Sequence, residues 1–138
     1  MYKWFRKVIL AKDAPAPTAY SPLTVTEKAK IRAVFQPNIS NDKATVEKAQ
    51  VNKYAVAPGS TASYEDVIGL AESNRRCATT NVPVEFVTGP ACISFNRKIG
   101  FTGDRNKSVG KVKYLHTLDN IEVSCRALNL GMYSARPS

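Results

Sequence analysis

Two stretches of alternating apolar and polar residues flank the dipeptide Asp119-Asn120 near the carboxyl end of the chain. Asp and Asn tolerate the positive φ angles of a tight two-residue turn, and alternation with a period of two is typical of half-buried strands. The pattern predicts a β-hairpin in which residues 109–118 pair with residues 121–130. One face of this hairpin is apolar except for His116, and a slip of one residue would destroy that sorting.

The same register places Lys113 directly opposite Arg126, with Lys111 on the same face of the hairpin. Like charges that face each other across a sheet destabilise it by roughly 0.2–1 kcal/mol. A bound anion would turn this repulsion into attraction. We therefore predict that this face of the hairpin binds a polyanion.

The stretch that leads into the hairpin is also basic. Residues 97–113 contain six cations and one acidic residue, Asp104. Glycines in this stretch allow the backbone to approach a phosphate closely, and Phe101 can stack on a base. The alternative interpretation is a solvated loop with Phe101 packed on the core. The residues predicted to bind nucleic acid are Arg97, Lys98, Phe101, Arg105, Lys107, Lys111, Lys113 and Arg126.

The overall charge agrees with an anionic partner. The 138 residues include 20 Lys and Arg against 11 Asp and Glu, which gives a formal net charge of +9. This balance favours nucleic acid first and an acidic membrane surface second. Hydrophobic residues make up 43% of the chain, which is enough for a packed core and excludes wholesale disorder.

The remaining patterns predict a mainly β protein, α+β at most, with an antiparallel sheet and one short helix. Residues 29–35 alternate as a strand does, and the segment 36–38 ends it. Residues 43–56 fit either a strand or a helix, and the strand is favoured because Lys48 interrupts the helical stripe. Two further strands are expected over 82–88 and 92–95.

The one helix signal begins at Ser63, which can serve as the N-cap. Glu65 and Asp66 follow in the first turn, where negative charge suits the helix dipole. Arg75 and Arg76 are expected in the last turn. Apolar side chains recur at helical spacing at Tyr64, Val67, Ile68 and Ala71.

The amino-terminal residues 1–22 are expected to form a basic, aromatic arm followed by a proline-rich connector, and residues 23–138 a single β-rich domain. Trp4 and Phe5 are predicted to contact another subunit, since an exposed Trp on a monomer would be a liability. The apolar run 8–11 is too short for a signal peptide, and no segment is long enough to span a membrane. The expected location is the virion or the cytoplasm.

Motifs for catalysis or cofactor binding are not found in the sequence. His116 is the only histidine, and it is expected at the edge of the core, bonded to backbone or to Tyr114. The cysteines, Cys77, Cys92 and Cys125, lack C-x-x-C spacing, so we expect buried reduced thiols and predict neither a disulfide nor a metal site. We predict no cofactor and no enzymatic activity.

The sequence thus favours a non-catalytic structural protein that binds the phosphate backbone of RNA or single-stranded DNA. A self-assembling viral coat subunit, hence a homo-oligomer, is the leading hypothesis. Two alternatives remain open: a ribosomal or other ribonucleoprotein component, and a protein-binding or small hydrolytic domain whose basic face is incidental.

Overall fold

The computed structural model describes residues 20–107 and 109–129, and it shows an α+β fold instead of the expected mainly β one. A long helix is followed by two small sheets and two shorter helices. The helices are α1 (Val25–Asn52), α2 (Tyr64–Ser73) and α3 (Arg126–Asn129). The strands are β1 (Ala55–Val56), β2 (Ile93–Arg97), β3 (Phe101–Thr102), β4 (Val112–Lys113) and β5 (Ile121–Cys125).

Helix α1 replaces the strand predicted over 29–35 and most of the one favoured over 43–56, where the helical alternative is correct as far as Asn52 and only Ala55–Val56 forms a strand, β1. It begins with a capping box, in which the Thr24 side chain accepts from the backbone of Glu27 and the Glu27 carboxylate accepts from the backbone of Thr24. Its buried residues are Ile31, Phe35 and Asp42. One of these buried positions is polar, so the helical repeat of apolar residues in α1 is weak. The alternation over 29–35 therefore indicated a strand where the structure has a helix.

Pro37 lies inside α1, although the sequence suggested that it ends an element. Proline has no backbone N–H, so the carbonyl of Ala33 loses the donor that an α-helix normally provides. The helix continues past this point because Ile31 and Phe35, just before it, are fully buried in the core. Tertiary packing therefore outweighs the local preference.

Lys53, the C-cap of α1, adopts the left-handed conformation with φ 58° and ψ 39°. A residue with a Cβ pays a conformational cost there that glycine avoids. We expect Lys53→Gly to raise the free energy of unfolding by about 0.5–1 kcal/mol, measured by urea denaturation. Lys48→Gly, within the helix, is the control and should lower it by about 1 kcal/mol. Destabilisation by Lys53→Gly would contradict this account of the cap.

The predicted helix at Ser63 is confirmed as α2. Ser63 and Asp66 form a second capping box, and Val67, Ile68 and Ala71 are buried. The helix ends at the C-cap Asn74. Arg75 and Arg76 consequently lie beyond the last turn and not within it.

The predicted hairpin around Asp119-Asn120 does not form. These residues belong to a short 3-10 helix, Leu118–Asn120. In the three-stranded sheet, β4 lies between β1, to which it is parallel, and β3, to which it is antiparallel. β5 pairs with β2 in a separate antiparallel sheet. Apolar and polar residues do alternate along β5, as predicted. Its apolar residues, however, pair with Ile93 and Phe95 of β2 and not with the residues of β4.

The core lies between α1, α2 and the β2–β5 sheet. Phe35 of α1 meets Phe95 of β2 edge to face, with ring centroids 5.6 Å apart. The expected burial of Cys77, Cys92 and Cys125 is confirmed. The predicted strand 92–95 corresponds to β2, whereas 82–88 contributes only isolated bridges at Pro83 and Glu85. Across the described ranges, no helix has the length and apolarity that a bilayer crossing needs.

Candidate nucleic-acid interface

Strands β3 and β4 and their connecting loop form what we call the basic hairpin, residues 101–113. Its chain reversal uses positive φ at Gly103 (109°) and Gly110 (81°). A Cβ at Gly103 would lie 3.1 Å from the Cα of Lys111, so the two arms approach closely there. The glycines therefore shape the hairpin itself, apart from any role in approaching phosphate.

One face of the basic hairpin combines lysines with aromatic rings. Phe101 pairs with Lys113 across the sheet, and Lys111 falls on the same face two residues earlier. The Lys111 ammonium lies 4.6 Å from the Phe101 ring centroid, and that of Lys113 lies 4.2 Å from the Tyr54 ring centroid. Phe101 remains 39% exposed, so part of its ring surface is available to a ligand.

The cations of this hairpin lack acidic partners. Arg105 and Lys107 are exposed, and Lys111 and Lys113 are half-buried. Among the described residues, none of these four forms a salt bridge with a carboxylate. The nearby Asp104 instead caps its own turn by accepting a hydrogen bond from the backbone of Asn106. The hairpin therefore presents positive charge that the described protein does not neutralise.

The other three predicted binding residues lie outside the hairpin 101–113, and Arg97 is at its base. Arg97 donates to the carbonyl oxygen of Tyr114 at 2.8 Å and so ties β2 to the chain after β4. Lys98 lies close enough to Asp119 to act on it electrostatically. Hydrogen bonds from the Thr117 side chain and from its own backbone lower the pKa of Asp119, and the positive charge of Lys98 lowers it slightly further.

Arg126 belongs to α3, at the end of β5, which is in the other sheet. The cross-strand pair of Lys113 and Arg126 predicted from the sequence is therefore wrong. Lys113 pairs with Val56 and Phe101 instead. Lys113 and Arg126 therefore do not repel each other across a sheet, and the unneutralised positive charge on which an anionic ligand could act is that of the basic hairpin.

A buried, hydrogen-bonded pair of Asp42 and His116 anchors this region to α1. The Asp42 carboxylate lies 2.8 Å from Nδ1 of His116 and accepts hydrogen bonds from the His116 backbone N–H at 2.7 Å and the Thr61 hydroxyl at 2.8 Å. Asp42 and His116 are 3% and 8% exposed. His116, expected at the edge of the core and bonded to backbone or to Tyr114, is buried, and its side-chain partner is Asp42.

The environment of Asp42 favours the ionised carboxylate. Burial by itself raises its pKa, but the hydrogen bonds from the side chain and backbone of His116 and from Thr61 together outweigh burial, and the pKa is lowered from 3.8. The pair fixes the segment that directly follows β4 against the middle of α1. It is thus a positioning element for the basic hairpin.

Two residues that matter here were not predicted from the sequence. Tyr54 lies under Lys113, and its hydroxyl donates to the carbonyl of Thr45 in α1. Asp42 lies between the segments 29–35 and 43–56, for which strands were predicted. Ile31, Phe35 and Asp42 are spaced by four and seven residues, and this spacing could have indicated that Asp42 lies on the buried face of a helix. Trp4 and Phe5, the predicted subunit contacts, lie outside the described residues.

Phe101→Ala is expected to weaken binding of a single-stranded oligonucleotide about fivefold. Stacking of a base on an aromatic ring contributes about 1–3 kcal/mol, and we take the lower end because Lys111 covers part of the ring. Fluorescence anisotropy with a labelled decamer measures the affinity. Phe101→Tyr is the control and should retain it, whereas equal affinity for the alanine variant would exclude stacking at this position.

Comparison of the chain with protein-family models, with curated proteins and with solved structures found no match.

Proposed function

We propose that this protein binds single-stranded nucleic acid, RNA or DNA, through the phosphate backbone, without catalysing a reaction. The observation that carries the proposal is the basic hairpin: four cations and an exposed aromatic ring share one small element, and no carboxylate of the described residues pairs with those cations. Nucleic acid supplies both the repeated negative charge and the unstacked bases that such a surface suits.

The chemistry of the surface favours backbone contacts over sequence reading. Lysine ammonium groups act as point charges that bind phosphate without the planar geometry required for base recognition. A single exposed ring stacks on any base. We therefore expect affinity to depend steeply on salt and only weakly on sequence.

A salt series with labelled decamers of thymidylate and uridylate tests the proposal. Each phosphate contacted on a single strand contributes about −0.7 to the slope of log K against log salt, so four cations give a slope of about −2.8. Similar slopes for both homopolymers, and for a mixed-sequence decamer, are expected. Absence of binding at 20 mM salt, roughly a tenth of physiological strength, would exclude the proposal.

Within this class, a self-assembling coat subunit is the more specific hypothesis, and it depends on the arm that carries Trp4 and Phe5. Mass photometry of the purified full chain separates it from a ribonucleoprotein component. Assemblies of many copies support a coat subunit, whereas a monomer that gains order only with RNA supports a ribonucleoprotein. The Trp4→Ala variant should shift the assembly toward monomer if the arm joins subunits.

The hydrolytic alternative has one residue pair in its favour, Asp42 and His116, because such a pair orients imidazole in many hydrolases. In this chain, however, the Thr61 hydroxyl, which contacts the pair, donates to Asp42. The carboxylate, the imidazole and the hydroxyl are thus joined in the wrong order for a nucleophile activated by His116. This arrangement supports the anchoring role instead.

A further inference from the structure

A second positively charged feature lies away from the basic hairpin. A cleft of about 320 Å³ opens where α1 faces β2 and α3. Its volume is at the lower end of the range for small-molecule sites and corresponds to a ligand of modest size. None of the residues that line it belongs to the hairpin 101–113.

The polar part of the cleft is suited to an oxyanion. Lys30 from α1 and Arg126 from α3 both line it, as do the side chains of Thr88 and Ser94. The Lys30 ammonium donates to the Thr88 hydroxyl at 3.1 Å, which orients the lysine and leaves two of its protons for a ligand. No Asp or Glu is among the lining residues.

The thiol of Cys92, which also lines the cleft, does not neutralise these cations. Burial raises its pKa, an effect that Lys30 and Arg126 only partly oppose and to which the Glu85 carboxylate adds. The thiol is therefore uncharged at neutral pH. Glu85 is exposed to solvent and lies outside the lining, so the cleft keeps a net positive charge.

The cleft also has an apolar wall, most of which lies on the same face of α1 as Lys30. It consists of Val34, Pro37 and Ile93, together with Ala33. Proline within α1 presents a ring and no N–H at this point, which makes the wall a hydrocarbon surface. An inorganic anion would leave that wall in contact with water, whereas a ligand that carries a short hydrocarbon part would cover it.

We propose that this cleft binds a small organic anion, in which a phosphate or carboxylate head contacts Lys30 and Arg126 and a short alkyl chain covers Val34 and Pro37. The site is separate from the basic hairpin and does not depend on nucleic-acid binding. Arginine and lysine together suit such a head, since the guanidinium binds two oxygens of either group, and the ammonium binds a third oxygen of a phosphate or a remaining lone pair of a carboxylate.

Calorimetric titration of the full-length protein tests the site with four probes: hexyl phosphate, hexanoate, inorganic phosphate and hexanol. We expect saturable binding of hexyl phosphate or hexanoate, and the stronger of the two identifies the head group. Inorganic phosphate and hexanol, which each lack one half of the ligand, should bind at least about tenfold more weakly. Binding of inorganic phosphate as tight as that of hexyl phosphate would overturn the role of the apolar wall.

Lys30→Gln and Arg126→Gln are each expected to weaken binding of the better probe about tenfold or more, because a hydrogen bond to a charged group is lost. Lys43→Gln and Lys48→Gln, exposed on the distal half of α1, are the charge-matched controls. Unchanged affinity in the Lys30 and Arg126 variants, with the fold verified by thermal melting, would overturn the proposal. So would displacement of bound hexyl phosphate by a decamer, since the cleft would then belong to the nucleic-acid surface.

Discussion

Replacement of both Lys111 and Lys113 by glutamine is expected to weaken binding of a single-stranded decamer by roughly 10- to 100-fold. The two ammonium groups share one face of the basic hairpin and have no carboxylate partner among the described residues. Their loss removes about 1.5–3 kcal/mol of interaction with phosphate. The slope of log K against log salt should also fall in magnitude by about 1.4, since two contacts at about 0.7 each disappear.

Two controls make this result specific to the hairpin. Lys28→Gln combined with Arg32→Gln removes the same charge from α1 and should change affinity by less than about threefold, through long-range electrostatics alone. Arg126→Gln discriminates between the sequence-based register and the observed structure. It should leave decamer binding nearly unchanged, whereas a loss as large as that caused by Lys113→Gln would place both residues on one binding surface.

Removal of the Asp42 carboxylate is expected to have the largest effect on stability. Asp42→Ala leaves the buried His116 backbone N–H, its ring Nδ1 and the Thr61 hydroxyl without their common partner. Each buried polar group left without its partner costs about 1–3 kcal/mol, so the loss of three hydrogen bonds is expected to cost about 3–5 kcal/mol. Asp42→Asn keeps the shape and one acceptor oxygen, so a smaller loss of about 1–3 kcal/mol is expected. Urea denaturation at neutral pH measures both.

The pH dependence provides an independent test of this pair. The pKa of Asp42 is lowered in the folded protein, so the ionised carboxylate stabilises the fold above the unfolded pKa. That contribution is lost as the pH falls through the folded pKa, below 3.8. The stability difference between wild type and Asp42→Asn should therefore narrow as the pH falls from about 5 towards 2. A difference that stays constant down to pH 2, below both pKa values, would contradict the assignment.

Local signals predicted well the elements whose stability is local. Helix α2 has a capping residue, acidic residues in its first turn and apolar residues at helical spacing, and all of these act within ten residues. Strand β2 was also located correctly. The capping box of Thr24 and Glu27 was equally readable, but the alternation of 29–35 and the presence of Pro37 concealed it.

The candidate site was predicted in part. The basic stretch that holds Phe101, Lys111 and Lys113 was identified from charge and glycine content, and the structure places these three residues on one face. Arg126, predicted to lie opposite Lys113, lines the cleft together with Lys30, because β5 pairs with β2 and not with β4. A strand's own alternation specifies which side chains face inward but not which strand lies beside it.

The sequence by itself determined the charge of this protein, the position of α2, the basic stretch and the burial of its cysteines, since each depends on composition or on neighbours along the chain. Only the tertiary structure decided that 25–52 is one helix and that the last two β-segments lie in different sheets. The stripe of α1 includes Asp42, whose burial is stabilised by His116, 74 residues away. A polar side chain is stable in the core only when a hydrogen-bonding partner satisfies it there. The sequence around Asp42 does not identify a partner so far along the chain.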